Sequence, residues 1–160
     1  MSVSPTIRRR LEIQGFVGLD DATLAELAPW LEFSPMLCTL LIGLGTVRAS
    51  AVILGALVPI AVLGAVFPVH PFDVLYNYGV RHLTGTRPLP PNGPPRRFAC
   101  GLAAVWLTAT AWTFGTGAHA VGSVLGGVLT AVAAIVSVSH FCLPSLLYTL
   151  LFGRSKSTGR

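Results

Sequence analysis

Charged residues are few in this chain: 11% of its 160 residues are Asp, Glu, Lys or Arg, where a soluble domain carries about 25%. Acids are fewer still, six in all, with none after Asp73. Paired-carboxylate catalysis is thereby confined to the N-terminal third and Asp73. The sequence also lacks a Gly-rich phosphate loop with its Lys, a paired-Cys zinc pattern, a His-Glu-x-x-His helix and a Gly-x-Ser-x-Gly elbow. These absences speak against a hydrolase or a nucleotide-using enzyme. The three cysteines, Cys38, Cys100 and Cys142, stand far apart, within or beside apolar runs, which argues for buried thiols rather than a disulfide framework. No secretory signal is expected, because Arg8, Arg9 and Arg10 are followed by LEIQGFVGLDD, too short and too acidic for an apolar h-region. The N-terminus is expected to be mature and cytoplasmic.

What is abundant is apolar surface. Hydrophobic residues make up 52% of the chain, and the mean hydropathy is +0.70. Two apolar halves flank a polar, proline-rich stretch from Pro68 to Arg97, and they are too long and unbroken for a two-layer soluble globule. An all-α polytopic membrane protein is expected. As one straight helix, Met36 to Phe67 would be about 48 Å long, against a hydrocarbon core of about 30 Å, and Arg48 would sit near mid-bilayer. A turn at Arg48, Ala49 and Ser50 removes both difficulties, giving one helix from about Trp30 or Pro35 to Val47 and another from Ala51 to Phe67. In the second half, Phe98 to Phe114 reads as a span, GTGAHAVG as a turn, and Val121 to about Phe141 as a second span. Pro144 separates off a short terminal helix at the interface.

The expectation is therefore four transmembrane helices in two hairpins, over 30–67 and 98–152. A cytoplasmic segment covers 1–29, a cytoplasmic polar loop 68–97, and a basic tail 153–160. Counting Lys and Arg supports it: Arg8, Arg9, Arg10, Arg81, Arg87, Arg96, Arg97, Arg154, Lys156 and Arg160 fall on one side and Arg48 alone on the other, which puts both termini and the middle loop inside. The same scatter of arginines over segment ends explains the net charge of +5 without nucleic acid, which would call for a basic stripe.

Outside the spans, Asp20 or Asp21 caps ATLAELAPWL, where Leu24, Leu27 and Leu31 share one side of an amphipathic helix, lying on the membrane surface or under the bundle. Pro71 to about Leu83 reads as an interfacial helix with Phe72, Tyr76 and Val80 toward lipid. Thr84 to Pro95 reads as an extended arm. Arg81, Arg96, Arg97, Trp30, Phe72 and Tyr76 are the expected interface anchors.

Few residues invite chemistry. His70 and His140 would lie at similar depth on the inner side and could hold a haem between two helices, although His70-Pro71-Phe72-Asp73 equally reads as a capped helix start. A chlorophyll-type pigment on a single histidine is a weaker form of the same idea. No metal site is indicated. Cys142 stands one turn from Ser145, but a dithiol couple needs a second cysteine. Small residues offer packing ridges: Gly122, Gly126, Thr130 and Ala134 on the last span, and Ala51 with Gly55 on the second.

The loop entry His70-Pro71-Phe72-Asp73, the Arg97-Phe98-Ala99 opening of the third span and the closing Phe141-Cys142-x-x-Ser145-x-x-Tyr148 together resemble an uncharacterised bacterial integral-membrane family, over roughly residues 30 to 152. The resemblance implies two hairpins around a polar loop in the bacterial inner membrane. That family's closing motif carries a second cysteine where this chain has Ser145, a departure that counts against thiol chemistry. It implies no reaction. The functional expectation is a non-catalytic subunit or scaffold beside other integral membrane proteins, in an assembly such as a photosynthetic or respiratory one. The alternatives are a thiol-redox protein using Cys142, a haem protein using His70 and His140, and a small transporter.

Overall fold

The computed structural model describes residues 3–152, and among them every regular element is helical. The basic tail over 153–160 lies outside the described residues. The arginine triplet falls in a helix of its own, α1 (Pro5–Ile13), with Pro5 at the first turn where its missing N–H costs nothing. Asp20 then caps α2 (Asp21–Leu27), its carboxylate accepting from the Thr23 N–H at 3.1 Å.

A 3-10 turn at Trp30–Glu32 runs directly into α3 (Phe33–Val47). Ala49, at φ 45°, turns the chain tightly, and Ser50 caps α4 (Ala51–Val66). The chain next bends by 87° into a helix in three pieces: α5 (Pro71–Leu75), a π-turn at Tyr76–Val80, and α6 (Arg81–Thr84). An irregular arm leads to α7 (Pro94–Gly115), a turn at Gly117 to α8 (His119–Ser139), and a break at His140 to α9 (Leu143–Phe152).

Three helical stretches are long and apolar enough to cross a membrane: Trp30–Val47, Pro94–Gly115 and His119–Ser139. At about 24 Å, the 16-residue α4 is short of a full span on its own. It reaches that length only together with the bent segment that follows, so the count is three or four. α3 packs beside α4 and α8, and α7 beside the same two, closing a ring of four helices. Leu54, Leu57 and Ala61 of α4 meet Ala104, Leu107 and Phe114 of α7, with Ile42 and Leu129, in the interior. Leu40, Val52, Val105, Trp112, Val124 and Val138 face outward, as a lipid solvent requires.

A second, separate core caps one end of this ring. Leu11, Phe16, Leu24, Leu27, Leu31, Tyr76 and Leu89 bury one another there. The leucines of α2 thus face a protein core beneath the bundle rather than lipid. Tyr76, expected at the lipid interface, is wholly buried in this cap beside Trp30 and Phe33, its hydroxyl on that of Thr86. Val80 and Phe72, expected toward lipid on the same face, pack against this cap and against the bundle core respectively, so protein covers the face they share. Val74, Leu75, Tyr78 and Leu83 are exposed instead.

The expected free arm is also tied down. Leu89 is buried, its N–H donating to Asn77 Oδ1 at 2.7 Å, and the Arg87 N–H donates to Glu26 at 2.9 Å. Gly15 and Gly93 cross so closely that a Cβ on Gly15 would lie 2.9 Å from the Gly93 Cα, and Gly15 sits at φ +102°. Only glycine meets both conditions there.

Candidate functional site

The polar side chains gather where the cap meets the bundle. Pro71 presets the first turn of α5, and His70 caps it, Nδ1 accepting from the Phe72 N–H at 3.2 Å. That start places Asp73 facing inward, 3% exposed. Ser34 Oγ of α3 donates to Asp73 Oδ1 at 2.5 Å, and Asn92 Nδ2 of the arm donates to Oδ2 at 2.9 Å. One carboxyl group therefore joins three chain segments. The Asn92 N–H adds a bond to the Pro68 carbonyl at 2.6 Å.

Arg96, on the first turn of α7, is buried beside this junction. It donates to the Leu31 carbonyl at 2.8 Å and stands 5.2 Å from the Phe16 ring. The His70 ring lies over Gly64, where a Cβ would be 3.1 Å from His70 Nε2 and 3.3 Å from Cys100 Sγ. Glycine at 64 thus lets an imidazole and a thiol share one small space. Burial pushes His70 down to about 4 from its ordinary 6.5; the Asp73 charge opposes that shift and Arg96 adds to it. Cys38 of α3 and Cys100 of α7 are half-buried free thiols.

A second cluster fastens α1 to the end of α8. His140 ends that helix at φ 54°, a left-handed backbone that is uncommon outside glycine. Its carbonyl accepts from Gln14 Nε2 at 2.8 Å and that of Ser139 from Arg10 Nη1 at 2.7 Å, so a cation sits at the negative end of the α8 dipole. His140 Nδ1 lies 2.6 Å from Glu32 Oε1, and Glu32 Oε2 is buried without a hydrogen-bond partner among the described residues. His70 and His140 therefore belong to different polar networks, each with its Nδ1 engaged. Among the described residues no three His, Cys, Asp or Glu side chains converge as a metal site. Cys142 is buried, and Ser145, where the resemblance implies cysteine, is fully buried with its hydroxyl donating to the Pro95 carbonyl at 3.2 Å.

The small residues divide by face. A Cβ on Gly126 would overlap Thr46 of α3, whose Cγ2 would be 2.7 Å away, and one on Gly122 would meet the Phe114 ring at 2.8 Å. Thr130 packs on Gly43, and Ala51 lies near Gly115. Ala134 is half-buried. Gly55 and Gly127 face open space.

Among the expected anchors, Arg97 donates from Nε to the Ala65 carbonyl at 3.0 Å and from Nη2 to that of Val66. Arg81 and Phe72 are half-buried on the bent helix. Two open grooves of about 500 Å³ run along the outer seam of α4 and α7.

Sequence reasoning missed Asp73, Ser34, Asn92, Glu32, Gln14 and Arg10 as structural partners. One signal was present: Asp73 is the last acid before a long apolar half, and Glu32 directly precedes an apolar run. An isolated acid in such a place needs a buried partner.

No curated protein and no solved structure matches the chain. Residues 28–152 match the family described as Domain of unknown function (DUF4395), and the chain belongs to that family.

Proposed function

We propose that this protein is a non-catalytic integral subunit of the bacterial inner membrane, a scaffold whose four helices span the bilayer in two hairpins. Its cap, middle loop and both termini stand on the cytoplasmic side. The observation that carries the reading is how the polar groups are used. Asp73, Arg96, Gln14, Ser34 and Asn92 each hold one chain segment to another, and Glu32 holds His140 through one oxygen. The grooves between the helices are open and mostly apolar in lining. Catalysis and transport instead collect polar groups around a cavity that substrate can enter.

The outward faces suit association. Gly127 has open space above it, with exposed Ser123 and Ala131 one turn to either side, a small-residue ridge of the kind on which membrane helices approach closely. Orientation rests, among the described residues, on Arg8, Arg9, Arg10, Arg81, Arg87, Arg96 and Arg97 at the cap end against Arg48 alone at the other. The test is purification from its native membranes in mild detergent followed by native mass spectrometry. The reading expects a stoichiometric assembly with another integral membrane protein, and a chain that always runs alone overturns it.

A thiol-redox protein is the second reading, drawn from the three free cysteines, of which Cys100 shares a small space with His70 over Gly64. Alkylation mass spectrometry before and after mild oxidation tests it, with loss of two free thiols together as the supporting result.

A further inference from the structure

We infer that the groove between α4 and α7 at the cap end is a binding site for an anionic glycerophospholipid, which takes its phosphate on Arg97 and one acyl chain along the two helices. The inference rests on the membrane placement of the bundle and is independent of the subunit reading. Pro94, Arg97, Phe98, Gly101 and Val105 of α7, with Ala65 of α4, line this groove of about 500 Å³.

Three features select the occupant. The first is charge. Arg97 is half-exposed, and its guanidinium is fixed at the mouth of the groove because Nε and Nη2 bond the Ala65 and Val66 carbonyls at the end of α4. Nη1 makes no hydrogen bond within the protein among the described residues, leaving N–H donors for a phosphate oxygen. Among the described residues no carboxylate pairs with that charge: the ion pairs are those of Arg8, Arg87 and His140, and Asp73 accepts from Ser34 and Asn92.

The second is depth. Arg97 is on the first turn of α7, and Phe98 stacks with Tyr148 and Phe152 of α9 at 5.5 and 6.5 Å between ring centroids. Such an aromatic cluster belongs at headgroup level. The third is shape. From Arg97 the groove runs into the apolar zone over Gly101, where an added Cβ would find only Ala65 Cβ at 3.8 Å. The missing side chain leaves a channel for a methylene chain beneath a headgroup-level cation.

The test places the full chain in nanodiscs made from equal parts phosphatidylglycerol and phosphatidylcholine, releases it gently, and identifies the retained lipid by native mass spectrometry. Phosphatidylglycerol should be enriched about fivefold over phosphatidylcholine, the preference one arginine confers at an anionic surface. Arg97→Gln should return retention to the bilayer ratio. Gly101→Leu, which fills the groove and leaves the arginine in place, should lower retention of both lipids. Equal retention of the two lipids by the unaltered chain overturns the site, as does enrichment that survives Arg97→Gln or total retention unchanged by Gly101→Leu. Insertion into nanodiscs of either lipid alone checks the membrane placement separately, so the two failures are distinguishable.

Discussion

Asp73→Ala should be the most damaging single change at the junction of cap and bundle, and its cost can be worked from the contacts. The carboxyl group accepts from Ser34 at 2.5 Å and from Asn92 at 2.9 Å, and both donors are themselves buried, at 3% and 6% exposure. Hydrogen bonds to a charged group contribute about 1.5–3 kcal/mol each, and a buried donor left unmatched costs about 1–3 kcal/mol. These figures overlap rather than add, so a loss of about 3–5 kcal/mol is expected. The sharper consequence is a reversal. In the Asp73→Ala background, Ser34→Ala removes an orphaned hydroxyl and should restore about 1 kcal/mol, whereas in the unaltered chain the same Ser34→Ala should destabilise. Reversible unfolding in detergent followed by far-UV circular dichroism reads all four corners of the cycle. A loss under about 0.5 kcal/mol for Asp73→Ala, or a Ser34→Ala effect of the same sign in both backgrounds, would refute the idea that this carboxyl joins the three segments.

Further outcomes follow from single contacts. Gly126→Val should cost about 1–3 kcal/mol by forcing α8 off Thr46, while Gly127→Val, one residue away in open space, should leave the isolated chain's unfolding unchanged. Leu24→Ala should cost about 2–5 kcal/mol because Leu24 is 1% exposed in the cap core; a much smaller loss would return α2 to the membrane surface. His70 is held near 4 in the fold against 6.5 when unfolded, so between those values the unfolded chain binds the extra proton and stability falls as pH is lowered from 6.5 toward 4, by about 1.4 kcal/mol per unit at most. His70→Asn keeps a capping side chain and should flatten that slope in a stability series from pH 7 to 4; an unchanged slope assigns it to other groups.

Much of the bundle was legible because lipid imposes a simple rule on long apolar runs. The turn at Arg48 to Ser50, the break at His140 and the short helix beginning at Pro71 all sit where charge, proline or a capping residue interrupts the apolar pattern. The cap was not legible, and the reason is physical. Its core joins Leu11, Leu24, Tyr76 and Leu89, four residues from separate segments whose partners no local periodicity reveals. Tyr76 shows the difficulty most plainly. Helical spacing placed it on one face with Phe72 and Val80, and that whole face lies against protein instead of lipid, Val80 in the cap and Phe72 on the bundle core. The proline-rich arm misled in the same way, since Leu89 is buried in the cap core with Leu11 and Leu24, and Asn92 donates to the buried Asp73. The polar junction followed the same logic: Asp73 was visible as an isolated acid, whereas Ser34 and Asn92 carried no mark of being its donors.

The subunit reading puts a partner against the uncovered ridge of α8. A photoreactive amino acid at position 127, in the full chain within its native membrane, reports what lies against Gly127. The reading predicts one discrete adduct with another integral membrane polypeptide, absent when the probe stands at the buried position 122 instead. Adducts with lipid alone at position 127 would contradict it.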